Sequence, residues 1–404
     1  MHVLLVEPEY YTQYPPLGLL KIASYHKSKG DSVELMRVLG LPSQKPDRIY
    51  VTSLFTYAWQ PVHDAVLFYR RLYPDVSIWL GGIYASLMPE HAVTSGADHL
   101  YKGLHPKAEQ CRPDYSLVPG WDSSIIFSSR GCIRRCPFCA VPVLEGKLNS
   151  TKKSIRKFVY PGHSRITFWD NNFLASPYKN KIFDELADLD RIVDFNQGLD
   201  ARLIDEGIAG KISDLRMDRV HLSYDSLKVR KKVENAIECL TDAGVNGRKV
   251  VVYTLFNFSD NPEDFFQRVR DLLRWGVASY PMRYEPLNAL EKNKHISPAW
   301  DPRRVEMVAK ARRVIGYGGT FPPYKGLVKK FLAAGSFDEA FELRNPSRAE
   351  THQSSSLHLP LIGRNRIGEK LQNAVFNAPR EAPQIEPVGS TTDRSRATPA
   401  PGIP

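Results

Sequence analysis

Ile125-Ile126-Phe127-Ser128-Ser129-Arg130-Gly131-Cys132-Ile133-Arg134-Arg135-Cys136-Pro137-Phe138-Cys139 is the stretch on which the fold is read. A short apolar run, the signature of a buried strand, leads straight into a glycine and three cysteines spaced Cys-x3-Cys-x2-Cys. Three thiolates are one fewer than a closed site takes, since structural zinc and simple ferredoxin clusters each use four protein ligands. A cubane iron–sulfur cluster on this loop would keep one iron without a protein ligand.

Other uses of the cysteines fit less well. Zinc needs a fourth ligand, and the nearest histidines, His105 and His163, stand 27 and 24 residues from the trio. Disulfides suit neither an odd count of five cysteines nor the start of the chain, where Val3-Leu4-Leu5-Val6 runs into Glu7 and Glu9 instead of forming a secretory signal. Reduced thiols and a cytoplasmic location are the expectation. Cys111 and Cys239 stand apart and read as ordinary thiols. No apolar run approaches a membrane span.

Outward from the cysteines, the chain alternates strand and helix twice. Toward the amino end, strands are expected at His2 to Val6, Ser32 to Val38, Arg48 to Phe55, Val76 to Gly81 and His99 to Tyr101. Helices are expected at Leu17 to Lys29, Val62 to Leu72 and Tyr84 to Val93. Strands separated by helices imply a parallel sheet, so residues 1–110 read as a small doubly wound domain, with its ligand side at Glu7 to Pro16 and Gly81-Gly82-Ile83. Residues 111–122 read as a linker. Six further strands, at Ile125 to Ser128, Arg165 to Trp169, Ile192 to Asn196, Arg219 to Ser223, Lys249 to Leu255 and Ser279 to Arg283, make residues 123–317 an expected open (β/α)6 barrel. Two of its helices are explicit: an apolar stripe from Val229 to Leu240, and Asn261-Pro262-Glu263-Asp264 as a capped start. Residues 318–344 read as a helical extension. The Ser-, Pro- and Asn-rich remainder, 345–404, reads as a disordered tail in which Leu357 to Ile362 docks at most transiently.

The cysteine spacing, the aromatic Phe138 before the last cysteine, and the position at the carboxyl end of a first barrel strand together resemble the radical S-adenosylmethionine (radical SAM) superfamily. The front domain is similar to the cobalamin-binding domain that precedes many such barrels, through Pro15-Pro16-Leu17-Gly18-Leu19-Leu20 and Gly81-Gly82. The resemblance implies a 4Fe-4S cluster on Cys132, Cys136 and Cys139 whose open iron chelates S-adenosylmethionine. It also implies reductive cleavage to methionine and a 5'-deoxyadenosyl radical, with electrons from a flavodoxin or ferredoxin. Phe138 matches the position flanking adenine. Asp170 and Asn171, in Trp169-Asp170-Asn171-Asn172-Phe173, stand where many relatives hold the methionine ammonium with Gly-Gly-Glu. Asp170 is then the expected carboxylate, with helix capping as its plainer role. Gln197 and Arg202 offer polar groups to ribose or carboxylate, although an Asp200–Arg202 ion pair explains the latter equally well. Asp225 could bond the ribose or simply start a helix. Arg283 and Glu285 close the sixth strand and might be expected toward substrate. No Asp-x-His-x-x-Gly follows the first strand, so no histidine is offered to cobalt, and cobalamin binding stays open; Gly81 and Gly82 also suit any tight turn.

The formal charge is +11, and residues from Asn345 onward contribute seven Lys/Arg against five Asp/Glu, so most of the excess belongs to the folded part. Basic residues gather at Lys147 to Lys157, Lys228 to Lys232 and Lys325 to Lys330. Solvated helix faces account for such runs, while an anionic substrate or RNA is the sharper alternative. Three functions follow: a radical SAM enzyme of unassigned substrate, a methyltransferase if cobalamin binds; a tRNA methylthiotransferase-like enzyme; or an iron–sulfur scaffold or electron carrier without a reaction.

Overall fold

The computed structural model describes residues 1–10, 12–315 and 325–342, so the expectations for the tail at 345–404 and for Leu357 to Ile362 lie outside the described residues. Met1–Leu343 form one compact unit.

The front of the chain folds as β1 (His2–Val6), α1 (Leu17–Lys27), β2 (Ser32–Met36), β3 (Arg48–Ser53), α2 (Trp59–Leu72), β4 (Ser77–Gly82), α3 (Ile83–Leu87), α4 (Pro89–Val93) and β5 (His99–Tyr101). Its five strands are parallel in the order β2-β1-β3-β4-β5. Alternation along the strands sorts the two faces. Leu4, Val6, Ile49, Val51, Ile78 and Leu80 pack with α2 residues Val62, Ala65, Val66 and Tyr69 as one core. On the opposite face Val3 and Leu5 meet only Leu19 and Ala23 of α1 among fully buried apolar residues. The single helix expected from Tyr84 to Val93 is split into α3 and α4. Pro89 denies its predecessor helical torsions, and Met88 sits at φ −130°, ψ 58°.

Residues 111–122 are packed rather than merely connecting. After the short helix α5 (Pro106–Glu109), Tyr115 and Val118 are buried, and the Tyr115 hydroxyl accepts the Ile125 backbone N–H at 2.7 Å. This residue ties the connecting stretch to the strand that carries the cysteines.

The rest runs β6 (Ser123–Ile126), α6 (Val141–Leu144), β7 (Arg165–Phe168), α7 (Lys179–Leu189), β8 (Ile192–Phe195), α8 (Glu206–Ser213), β9 (Val220–Ser223), α9 (Arg230–Asp242), β10 (Val250–Phe256), α10 (Pro262–Arg274) and β11 (Ala278–Arg283). These strands form two parallel three-stranded sheets, β6-β7-β8 and β11-β10-β9, where the sequence led us to expect one continuous set. The sheets meet at one bridge: Gly198, at φ +85°, turns the chain after β8 so that Leu199 pairs with Leu222 and its N–H donates to the His221 carbonyl at 2.7 Å. Phe168, Phe195, Leu222, Ile182, Phe183, Ile208, Val233 and Ile237 share one core, so α7, α8 and α9 bury their apolar faces against the strands. Asn261 caps α10 as expected, its side chain accepting the Asp264 N–H at 2.8 Å. A second core joins Phe265, Phe266 and Val269 of α10 to α11 (Pro302–Ile315), α12 (Lys325–Ala333) and α13 (Phe337–Phe341) through Val308, Phe331 and Phe337.

Gly82 is a glycine for a backbone reason. It lies at φ +103°, ψ −168°, a region closed to side-chain-bearing residues, and a Cβ there would sit 2.1 Å from the Ser53 carbonyl oxygen. Gly81 meets nothing nearer than 3.6 Å. Gly82→Ala is therefore expected to cost about 3 kcal/mol or more in urea denaturation, while Gly81→Ala stays within about 1 kcal/mol; equal costs would contradict this placement.

Candidate functional site

All three cysteines line one cleft of about 240 Å³. It opens at the carboxyl ends of β6 to β9, and its walls include Phe138, Asn171, Asn172, Gln197, Asp200, Arg202 and Asp225. The cysteine loop doubles back on itself: Arg130 and Asn149 exchange backbone hydrogen bonds at 2.9 and 2.8 Å, and the Cys132 N–H donates to the Gly146 carbonyl at 3.3 Å. Gly131 permits this approach. Its φ is +71°, and a Cβ would lie 2.2 Å from the Lys147 carbonyl oxygen. A tight turn brings the Cys139 N–H to the Cys136 carbonyl at 3.0 Å.

Two acidic side chains hold the loop. Asp170 is buried beneath it and accepts four hydrogen bonds, from the Ser128 N–H (2.8 Å) and hydroxyl (2.5 Å) and from the Ser129 N–H (2.7 Å) and hydroxyl (2.6 Å). Burial pushes its carboxyl upward, partly offset by those donors. Glu145 accepts from the Gly131 N–H (2.8 Å), Arg130 (3.0 Å) and Asn171 Nδ2 (2.8 Å). The structure thus uses Asp170 to fix the end of β6, not to line the cleft, and it does not cap a helix. Asn171 does line the cleft, but its amide N–H₂ is directed to Glu145.

The residue from this segment that reaches both a thiol and the polar wall is its neighbour. Asn172 Nδ2 stands 3.6 Å from Cys132 Sγ and donates to Asp200 Oδ2 at 3.1 Å, while its buried Oδ1 meets no donor among the described residues. The Arg134 N–H also donates to Cys132 Sγ, at 3.3 Å. Asp200 further accepts from Arg134 Nε (3.0 Å) and Arg202 Nε (2.6 Å), so the Asp200–Arg202 pair forms. Burial would raise the Asp200 carboxyl, but its arginine and asparagine donors outweigh burial and hold it below the ordinary range. Among the described residues Asp225 accepts only the Leu255 N–H, at 3.2 Å, and burial raises its carboxyl. Burial, then the neighbouring sulfurs and carboxylates, also raises the Cys136 and Cys139 thiols in the metal-free chain.

Phe138 meets Phe258 edge-on at 5.6 Å, and Phe258 meets Tyr284 at 4.6 Å. Gln197 is exposed at the rim. Arg283 donates to the carbonyls of Asn293 and His295 and, like Glu285, is absent from the cleft wall. Glu145, Asn172, Ser128 and Ser129 were not singled out as site residues from the sequence. The only available signal was their nearness to the cysteine and Asp-Asn-Asn segments.

Chemically, the donor set is sulfur-rich, with N–H groups already directed at Cys132 Sγ. Among the described residues no three His, Cys, Asp or Glu side chains converge on a point as one bound metal ion requires. Gly81 and Gly82 line a different cleft, of about 460 Å³, between the front sheet and the ends of β6 and β7. A charged cluster forms part of its wall. Glu109 accepts from Lys21 (2.9 Å) and from Arg130 Nε and NH2 (2.9 and 2.7 Å). Burial lowers the Lys21 ammonium to about 8, while Glu109, despite burial, is held down by its two cations.

The sequence matches no known family profile and no curated relative. Among solved structures, the chain is similar to coproporphyrinogen III oxidase (HemN) from Escherichia coli, described as a radical SAM enzyme, with a TM-score of 0.35 and 12% identity. That alignment covers 56% of this chain and 60% of that chain, so this chain spans less than two thirds of the relative's length. Among the described residues no helix is long and apolar enough to cross a membrane.

Two outcomes test the site geometry. Asp170→Asn replaces a four-bond acceptor by a group with one acceptor and two misplaced donors, so it should cost about 3 kcal/mol and lower iron uptake by the loop. Unchanged stability and iron would contradict the anchoring role. Lys21 titrates lower folded than unfolded, so between about pH 8 and pH 10.4 the unfolded chain holds a proton the native chain has released, and stability rises with pH. Lys21→Met should remove up to ~1.4 kcal/mol per pH unit of that rise, read from urea melts across the window; identical slopes would refute it.

Proposed function

We propose that this chain is a radical SAM enzyme: Cys132, Cys136 and Cys139 hold a 4Fe-4S cluster, and the polar wall of the cysteine cleft binds S-adenosylmethionine. The carrying observation is that the three cysteines share one cleft with two carboxylates, two asparagines and an aromatic ring, and that among the described residues no fourth cysteine or any histidine lines it. When bound, the cluster would supply one electron to the sulfonium, giving methionine and a 5'-deoxyadenosyl radical.

The chain's own groups divide the remaining work. Asn172 Oδ1, buried without a donor among the described residues, and Asp200, which Asn172 bonds, are acceptors suited to an ammonium on the Cys132 side of the cleft. Arg202, held by Asp200, suits the methionine carboxylate at the partly exposed side. Asp225 keeps acceptor capacity for ribose hydroxyls, and Phe138 offers a ring face or edge to adenine. In this reading the two three-stranded sheets are the halves of an open (β/α)6 barrel, preceded by a doubly wound domain over 1–110. A flavodoxin- or ferredoxin-type donor supplies the electron. The substrate stays unassigned and cobalamin binding stays open: no Asp-x-His-x-x-Gly follows β1, and the backbone by itself explains Gly82.

Anaerobic reconstitution with iron and sulfide, followed by dithionite and S-adenosylmethionine, should give about four irons per chain with methionine and 5'-deoxyadenosine as products. Cys132→Ala, Cys136→Ala and Cys139→Ala should each lose the visible iron–sulfur absorption and both products. Full iron content in all three variants would refute the ligand assignment.

A further inference from the structure

The second cleft has a character that the cysteine chemistry does not require. It lies on the α1 face of the front sheet, roofed by α1 and α5. On the α2 face the same strands present aliphatic residues that are buried, Ile49, Val51, Ile78 and Leu80. On the cleft face, β3 and β4 present Arg48, Tyr50 and Trp79, all half-buried, with Tyr50 at the border of the aliphatic cluster of Val3, Leu5, Leu19 and Ala23. Tyr50 and Trp79 lie side by side with centroids 6.3 Å apart, and the walls add Tyr25, Tyr101 and His105, the last two stacked at 5.3 Å. A core-forming face of a doubly wound sheet would carry Val, Ile or Leu at these positions. Rings leaving about 460 Å³ between them instead resemble a stacking platform.

Two further observations point to a ligand. The indole Nε1 atoms of Trp79 and Trp169, both cleft residues, are buried and meet no acceptor among the described residues, although buried donors are normally satisfied. The cations also divide into two kinds. Lys21 and Arg130, toward the cysteine loop, are occupied by Glu109 and Glu145. Arg48 and Lys29 have no carboxylate partner among the described residues: Arg48 lies over the Trp79 ring at 5.6 Å and 3.4 Å from the Tyr50 hydroxyl, and Lys29 lies over Tyr25 at 4.1 Å. Arg48 opens β3, and Lys29 follows the end of α1, which returns from the carboxyl edge of the sheet. Both therefore stand at the amino edge, opposite Gly82, Phe127 and Trp169.

We propose that this cleft binds an aromatic mononucleotide, its flat ring packed against Tyr50 and Trp79, whose planes are tilted by 40°, and its phosphate held between Arg48 and Lys29. The Trp169 indole N–H donates to a ring oxygen and the Trp79 N–H, which lies in the plane of its own ring, to the sugar, and the ring end faces the loops after β6 and β7. None of the three cysteines lines this cleft, so the site can stand or fall without the cluster.

Flavin mononucleotide is a suitable probe, since its fluorescence is quenched on stacking, with riboflavin as the control lacking phosphate. Titrated with the full-length chain, flavin mononucleotide should quench saturably at one site per chain and bind about tenfold more tightly than riboflavin. Arg48→Gln and Lys29→Gln, both confirmed folded by circular dichroism, should each weaken the mononucleotide toward the riboflavin level and leave riboflavin unchanged. Trp79→Leu should weaken both. Absence of saturable quenching, or equal binding by the parent and both glutamine variants, would overturn the proposal. Displacement of the flavin by hydroxocobalamin that binds Arg48→Gln as tightly as the parent would also overturn it, assigning the cleft to a corrinoid.

Discussion

A buried carboxylate accepting four hydrogen bonds from two consecutive serines is the constraint on which the site depends. Asp170 grips Ser128 and Ser129 at the point where β6 stops and the cysteine loop begins. Without it, the loop would leave the strand at an undetermined angle, and three thiols would have no shared target. Glu145 acts from the other side, bonding the Gly131 N–H and the Arg130 guanidinium. Gly131 lets the returning backbone come closer than any side chain would permit. Short-range devices thus convert a flexible cysteine-rich loop into a fixed wall, the pre-organisation that a binding site for a reactive group needs.

Much of this was legible in the sequence because strands and helices here carry clean periodicities. Each strand of the front sheet appeared within a few residues of its expected position, and the Asn261 cap was readable from its neighbours alone. The division of α3 from α4 was equally written in Pro89, but a continuous apolar pattern concealed it. The break between the two three-stranded sheets was less accessible. It turns on Gly198 and a single Leu199–Leu222 bridge, and neither residue differs in type from those of an unbroken series.

Side-chain roles were harder to read than elements. Asp170, Asn171 and Asn172 are adjacent polar residues after β7, and the turn that follows the strand places them in different surroundings: one beneath the loop, one against Glu145, one toward Cys132. No one-dimensional pattern tells which carboxylate or amide faces a cavity. Similarly, Gly81 and Gly82 look alike on paper, yet only Gly82 has a torsion that excludes other residues. The charged group Lys21, Glu109 and Arg130 joins residues 88 and 21 positions apart, beyond the reach of any local motif.

The central claim is that the cysteine loop leaves one corner of a cluster to a small molecule. Mössbauer spectroscopy on anaerobic protein reconstituted with isotopically enriched iron, with and without S-adenosylmethionine, examines that corner directly. One of about four iron sites should change its isomer shift and quadrupole splitting when S-adenosylmethionine is added, the others remaining as they were. Four iron sites indifferent to the addition, or a loop that takes up zinc in place of iron, would contradict the account.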